Sequence, residues 1–159
     1  MRLGMVDDHA LFSDGVRAWL HEHAPDITVV IATGEVGKAV ALGSHLDVVL
    51  LDIDLGPAAP PLTTSVRHLV DAGTRVLVVS ALVQPRLVRQ AVSAGALGYM
   101  SKKETGETLL TALRTVAGDE LFLTPDLAAI LVEDADDAPT LSAQEMKVLR
   151  LYAAGLTPA

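Results

Sequence analysis

The chain of 159 residues is half hydrophobic, only 3% aromatic, free of cysteine, and carries a formal net charge of −8. This excludes disulfides, thiolate zinc sites and thiol catalysis, and it argues against a grip on a phosphate backbone, which draws its affinity from clustered Lys and Arg. A core must therefore be built from Val, Leu, Ala and Ile, and a chain of this length can bury one without staples.

The first apolar run, near 2–6, is broken at Asp7, so the N-terminus does not read as a secretory signal. No apolar run approaches the roughly 18 residues of a membrane helix. The expectation is a soluble cytoplasmic protein with no membrane partner. A helical segment follows near 9–24, with Leu11, Phe12, Val16, Trp19 and Leu20 placed on one face and Trp19 directed into the core. Further apolar runs fall near 27–32, 47–51, 75–79 and 97–100. All are short, Val-rich and continuous rather than alternating, as strands buried on both faces are.

The segment near 35–44 is a weaker helix, because Gly34, Gly37 and Gly43 lower its propensity. Residues 56–61, with three prolines and a glycine, read as a stiff loop before a helix near 62–73. The helix near 84–94 turns Leu87, Val88, Ala91 and Val92 to one side, and Gly95 suits its stop. Thr105 is placed to cap a helix over 106–117, with Leu109, Leu110, Leu113 and Val116 inward.

The alternation predicts an α/β fold with a five-stranded, doubly wound parallel sheet. Its domain would span 1–120. Thr124 and Pro125 then start a short helix over 125–132, and the acidic, proline-terminated stretch 133–139 reads as a solvated linker. Ser142 and Glu145 form a capping box opening a helix whose Met146, Leu149, Tyr152 and Ala153 share a face. The expected division is thus 1–120, a connecting segment 121–140, and 141–159 as the truncated start of an all-α domain.

If the apolar runs are parallel strands of one sheet, their carboxyl ends carry Asp7 and Asp8, Asp52, Ser80 and Lys102. Ligands bind at that edge in open α/β sheets. Taken singly, each residue has an ordinary explanation, since Asp and Ser favour turns and caps and lysine favours the surface. Taken together they put three carboxylates, a hydroxyl and an ammonium in one crevice. Such a group suits a divalent cation, with Mg²⁺ preferring oxygen ligands, and a phosphoryl group taken by the Asp52 carboxylate as an acyl phosphate. Lys102 would then neutralise charge on the transferring group, and Ser80 would hydrogen-bond to it. The histidines at 9, 21, 23, 45 and 68 show no metal-ligand spacing with one another and read as exposed helix polarity.

Four pieces carry a family resemblance: Val6 to His9, Val49 to Asp52, Val78 to Ala81, and Ala94 to Lys102. Over about 2–118 the chain resembles the flavodoxin-like receiver domain of two-component response regulators. Residues 141–157 resemble the opening of a LuxR-type helix-turn-helix domain, which together suggests the NarL/LuxR class. The resemblance implies that Asp52 is the phosphoacceptor and a histidine kinase the donor. It implies that Asp7, Asp8, Asp52 and the Asp54 backbone carbonyl hold Mg²⁺, that Ser80 and Lys102 sense the phosphoryl group, and that Tyr99 is the aromatic that swings inward on activation. It also implies a homodimer on activation and promoter DNA bound by the full-length protein, though not through 1–159. The chain departs from the family pattern after Asp52. Ile53-Asp54-Leu55-Gly56-Pro57 displaces the usual proline by one, and residues 55–61 reshape the loop beside the site.

Two other functions fit parts of the pattern. A phosphorylation-independent receiver-like interaction module would keep the fold without the chemistry. An Asp-nucleophile phosphatase of the haloacid-dehalogenase type would use Asp52 and Asp54, but Gly56 stands where that family expects Thr. On the leading reading the protein accepts and slowly loses a phosphoryl group and is not a turnover enzyme. Leu82 and Val83 are expected to face solvent and to form, with Tyr99, an output patch.

Overall fold

The computed structural model describes residues 1–133. Its elements, in chain order, are β1 (Arg2–Val6), α1 (Ala10–His23), β2 (Thr28–Thr33), α2 (Val36–Leu42), a 3-10 turn (Gly43–His45), β3 (Val48–Asp52), α3 (Leu62–Asp71), β4 (Arg75–Ser80), α4 (Pro85–Ser93), β5 (Gly98–Ser101), α5 (Gly106–Ala117), β6 (Phe122–Leu123) and α6 (Pro125–Glu133). The expected helix over 142–154, and the linker beyond 133, lie outside the described residues.

Every strand pairs in parallel, in the order β2-β1-β3-β4-β5-β6. The sheet has six strands where the sequence predicts five. The added one is only Phe122–Leu123, too short to show a period, and it pairs along Gly98 and Tyr99. The order reverses between β1 and β3. A crevice opens at such a switch point, beyond the carboxyl ends of the strands.

The continuous apolar runs follow from two cores, one on each face. In β3, Val48 and Leu50 face the side covered by α1 and α5, while Val49 and Leu51 face the side covered by α2, α3, α4 and α6. β4 divides the same way, with Leu77 and Val79 opposite Val76 and Val78. By contrast β2 alternates exposed and half-buried positions, as an edge strand does.

Helix α1 buries Ser13, Val16 and Leu20, with Phe12 and Trp19 packed partly buried beside them. Leu11, expected on that face, is 88% exposed. At about 100° per residue it stands roughly opposite Leu20, so an apolar residue in the first turn does not belong to the buried stripe. The glycines shorten α2, which ends at Leu42; Gly43 then turns with φ +48 into the 3-10 segment. Thr105 caps α5 by accepting the Thr108 N–H.

Residues 121–133, which the sequence sets apart as a connecting segment, pack onto the same body. β6 extends the sheet, and α6 buries Leu127, Ala128 and Leu131 in the core that also holds Val88 and Ala91 of α4. Leu131→Ala is therefore expected to destabilise the whole unit by about 2–5 kcal/mol, the usual result of emptying a buried leucine site. Urea unfolding should show one transition with a lowered midpoint. A separate early transition would mean that α6 is an appendage.

Candidate functional site

The five longer strands end alike. In each, a side-chain oxygen at or just past the strand's end accepts the backbone N–H two residues on. Asp7 Oδ1 takes His9 (2.8 Å), Thr33 Oγ1 takes Glu35 (3.1 Å), Asp52 Oδ1 takes Asp54 (3.3 Å), Ser80 Oγ takes Leu82 (3.0 Å) and Ser101 Oγ takes Lys103 (3.1 Å). These are the local turns that Asp, Ser and Thr form with their own backbone. They explain why such residues close each apolar run. They also divide labour within each carboxylate, because Oδ1 holds the turn and leaves Oδ2 for the crevice.

The Oδ2 atoms of Asp7 and Asp52 both face Lys102, whose Nζ lies 2.7 Å from each. The contact with Asp52 is a hydrogen bond donated by Lys102. The contact with Asp7 is an ion pair, and its carboxylate oxygen, Asp7 Oδ2, is fully buried. Both carboxylates are close to inaccessible, with side-chain exposures of 3% and 2%. Burial lowers the Lys102 pKa, but the hydrogen bonds and charges of Asp52 and Asp7 outweigh it and hold the group above its ordinary value. The ammonium also sits 4.7 Å from the centre of the Phe12 ring.

His9, which sequence reasoning assigned to surface polarity, joins this group. Its Nδ1 lies 2.9 Å from Asp8 Oδ1, 3.2 Å from Asp7 Oδ1 and 3.5 Å from Asp52 Oδ2. Asp7, Asp8, His9 and Asp52 each offer one ligand atom, all within 4.8 Å of one another. The signal lay in the adjacency of His9 to two acids. Asp7 and Asp8 border an open recess of about 440 Å³, shared with Ser13, Asp14, Arg17 and Thr33. A second recess of about 300 Å³ between α1 and α5 is more apolar, walled by Phe12, Trp19, Met100 and Leu109, and reaches Lys102.

The structure thus brings Asp7, Asp8, Asp52 and Lys102 together. Asp54 stands in the loop over 53–61 with its N–H directed to Asp52. Ser80 is buried at the end of β4. Tyr99 is not part of an exposed patch with Leu82 and Val83. Those two are exposed, but Tyr99 is fully buried, and its hydroxyl donates to the Leu82 carbonyl oxygen at 3.1 Å. The ring is an inward residue of β5 in the core that α4 and α6 also enter.

A buried aspartate, an acid pair and a strand-end lysine at the carboxyl edge of a parallel sheet ordered β2-β1-β3-β4-β5-β6 define a receiver. The chain matches the family described as response regulator receiver domain over residues 4–114, and it belongs to that family. Its relatives include the transcriptional regulatory protein UhpA of Salmonella typhimurium, 31% identical over 97% of this chain and 76% of that protein. The nitrate/nitrite response regulator protein NarL of Escherichia coli is 35% identical over 96% of this chain and 74% of that protein. Among solved structures, a two-component response regulator of the LuxR family from Aurantimonas sp. SI85-9A1 superposes with a TM-score of 0.74 at 27% identity, covering 86% of this chain and 98% of that one. The relatives are response regulators of the NarL/UhpA type. No helix among the described residues is long and apolar enough to cross a membrane.

Tyr99 and Lys102 set a pH dependence. Burial is the main reason that the Tyr99 phenol is raised above its ordinary range; the neighbouring Ser80 side chain opposes the shift and the Asp52 charge adds to it. Both groups keep their protons in the folded chain after the unfolded chain has lost them. The sign is therefore negative: the stability they contribute is whole below about pH 10 and falls as pH rises above it. Urea unfolding at about pH 9 and about pH 11 should show this loss, and Tyr99→Phe should reduce it. Spectrophotometric titration should find a late-ionising phenol that this variant lacks. If both tyrosines of the wild type, Tyr99 and Tyr152, titrated at the ordinary value, the burial argument would be contradicted.

Proposed function

We propose that this chain is the receiver portion of a phosphorylation-controlled transcriptional regulator, with Asp52 as the phosphoacceptor and a histidine kinase as the donor. The observation that carries the reading is the pair of buried Oδ2 atoms, on Asp7 and Asp52, facing one lysine at the carboxyl edge of the sheet. A carboxylate held there by its other oxygen is a positioned nucleophile. Asp52 attacks phosphorus. A new P–O bond forms, the P–N bond to the donor imidazole breaks, and that imidazole leaves with the electron pair and takes a proton from water. Lys102 follows the charge from the free carboxylate to the phosphoryl oxygens. Ser80 uses its oxygen lone pair on Leu82 and keeps its hydroxyl proton to donate.

The donor set is oxygen-rich and crowds the carboxylates of Asp7, Asp8 and Asp52 into one crevice, which fits a hard cation. Asp7, Asp8, Asp52 and the Asp54 carbonyl would hold Mg²⁺. When bound it would neutralise the crowded acids and the incoming phosphoryl oxygens.

The signal then passes from Ser80 to the Leu82 peptide, which the buried Tyr99 hydroxyl also holds. The names of the relatives and the resemblance of 141–157 to a LuxR-type helix-turn-helix support an output on promoter DNA, carried by a domain that 141–159 begins. Self-association on phosphorylation belongs to the same proposal, as does a role in signalling rather than turnover.

Incubation with a small phosphodonor and Mg²⁺ should add one phosphoryl group, read by intact mass and mapped to Asp52. Asp52→Asn should abolish it, and labelling that survives in that variant would sink the assignment. Lys102→Ala should slow labelling by roughly 10²-fold, the usual size for losing one stabilising charge at a reacting group.

A further inference from the structure

We infer that the recess between α3 and α4 is a binding site for a small phosphorylated molecule, a phosphate ester or a diphosphate, held by Arg67, Arg86 and Arg89. The inference goes beyond the proposed function and does not rest on the chemistry at the carboxyl edge of the sheet.

Three arginines gather here in a chain whose net charge is −8. Helix α3 buries Ser65, Val66 and Leu69, and α4 buries Val88, Ala91 and Val92. Those contacts fix the rotation of both helices. They leave Thr63 and Arg67, one turn apart, on the flank of α3, and Arg86, Arg89, Gln90 and Ser93 on the outer part of α4. All six line one open recess of about 380 Å³. Just past it the two helices are in close approach, since a Cβ on Gly95 would lie 3.4 Å from Val70 Cγ2.

No carboxylate lines the recess among the described residues. Elsewhere Arg2, Lys38, Arg75, Lys102 and Arg114 each face an acid. Arg67 and Arg86 form no ion pair among the described residues, although Asp71 stands one turn beyond Arg67 on α3. Arg86 and Arg89 are three apart on one helix, a like-charge spacing that destabilises it. Arg86 also sits in the first turn of α4, which holds no acid, where the field of the helix disfavours a cation. An anion in the recess turns each of these repulsions into an attraction.

The arginine chemistry names the class of anion. A guanidinium fork matches phosphate oxygens in pairs. Three forks exceed the single charge of a carboxylate and suit a phosphate, which carries about two charges at neutral pH, or a diphosphate with more. The Thr63 and Ser93 hydroxyls and the Gln90 amide both donate and accept, so they suit the uncharged remainder of the molecule.

The test is calorimetric titration of the chain with pyrophosphate, without added metal, for the wild type, Arg67→Gln, Arg86→Gln and the double variant, with acetate as the control anion. Pyrophosphate should bind the wild type far more tightly than acetate, and its affinity should fall roughly fivefold or more in each single variant and further in the double one. In the unaltered chain, pyrophosphate should shift the Arg67 and Arg86 Nε–H resonances, a readout that survives if a variant fails to fold. Lack of binding by the wild type, or equal binding of acetate, would overturn the inference. So would an affinity unchanged in the double variant, which would put the anion on other cations such as Lys102. If pyrophosphate binds only after Asp134, Asp136 and Asp137 are changed to Asn, the arginines serve the chain's own acidic stretch, and the site for a free ligand is likewise refuted.

Discussion

One ammonium group organises the carboxyl edge of the sheet. Lys102 contacts Asp7 from the end of β1 and Asp52 from the end of β3, and its own backbone N–H is fixed by the Ser80 carbonyl at the end of β4. The register leaves no alternative. Val6 pairs with Leu51, so the next residues along, Asp7 and Asp52, stand side by side and nearly dry. Two buried carboxylates cannot face each other as anions without a cation between them. Lysine supplies one, and its charge is retained because the two acids overcome the penalty of burial. One ammonium still does not balance the group, since Asp8 adds a third charge. The crevice is therefore folded in a state that favours further positive charge, which is the electrostatic basis of any metal or phosphoryl chemistry there.

The turns beyond the strands make this arrangement compatible with a stable fold. An aspartate used wholly for chemistry would leave its turn unheld, and one used wholly as a cap would have no oxygen to offer. Asp7 and Asp52 do both, one oxygen to each task. Ser80 has a single oxygen, and it is already an acceptor for Leu82, so what it has left to give is its proton. The different residue types at the strand ends are thus matched to different remaining capacities. A Ser at 52 or an Asp at 80 would hold the same turn and present the wrong chemistry.

Much of this was legible in the sequence because it rests on local patterns. Valine-rich runs such as Val76–Val79 are unmistakable when both faces are buried, and the acid, hydroxyl and amine residues announce themselves by closing those runs. The parts that were not legible depend on tertiary context. β6 is two residues long and exists only because Gly98 and Tyr99 of β5 offer an open edge. Gly98 itself has no room for a side chain, since a Cβ there would lie 2.6 Å from Leu77 Cδ1. Leu11 is apolar yet stands on the wet side of α1, because one turn of helix carries no phase information about the rest. Tyr99 reads as a surface aromatic near two exposed apolar residues, but strand alternation turns it inward, and α6 helps to bury it. His9 was legible only by looking beside the acids rather than for a second histidine.

The inward position of Tyr99 changes where movement in this domain is cheap. Its hydroxyl and the Ser80 hydroxyl are joined through one residue, because Leu82 donates its N–H to Ser80 and accepts from Tyr99 with its carbonyl. Withdrawing the ring from the core would expose a large apolar surface, on the order of 1.5–3 kcal/mol for a side chain of this kind. Moving the loop over 81–84 breaks two hydrogen bonds of about 1 kcal/mol each. Leu82 and Val83 are already exposed, so the loop loses little packing when it shifts. The helix it feeds, α4, starts at Pro85 with no side-chain cap on its first turn. A displacement at Ser80 is thus taken up first by the loop and the uncapped start of α4, and it reaches α6 through the α4 face where Val88 and Ala91 share a core with Leu131. The ring of Tyr99 is the fixed post in this arrangement, and the Leu82 peptide is the part that yields.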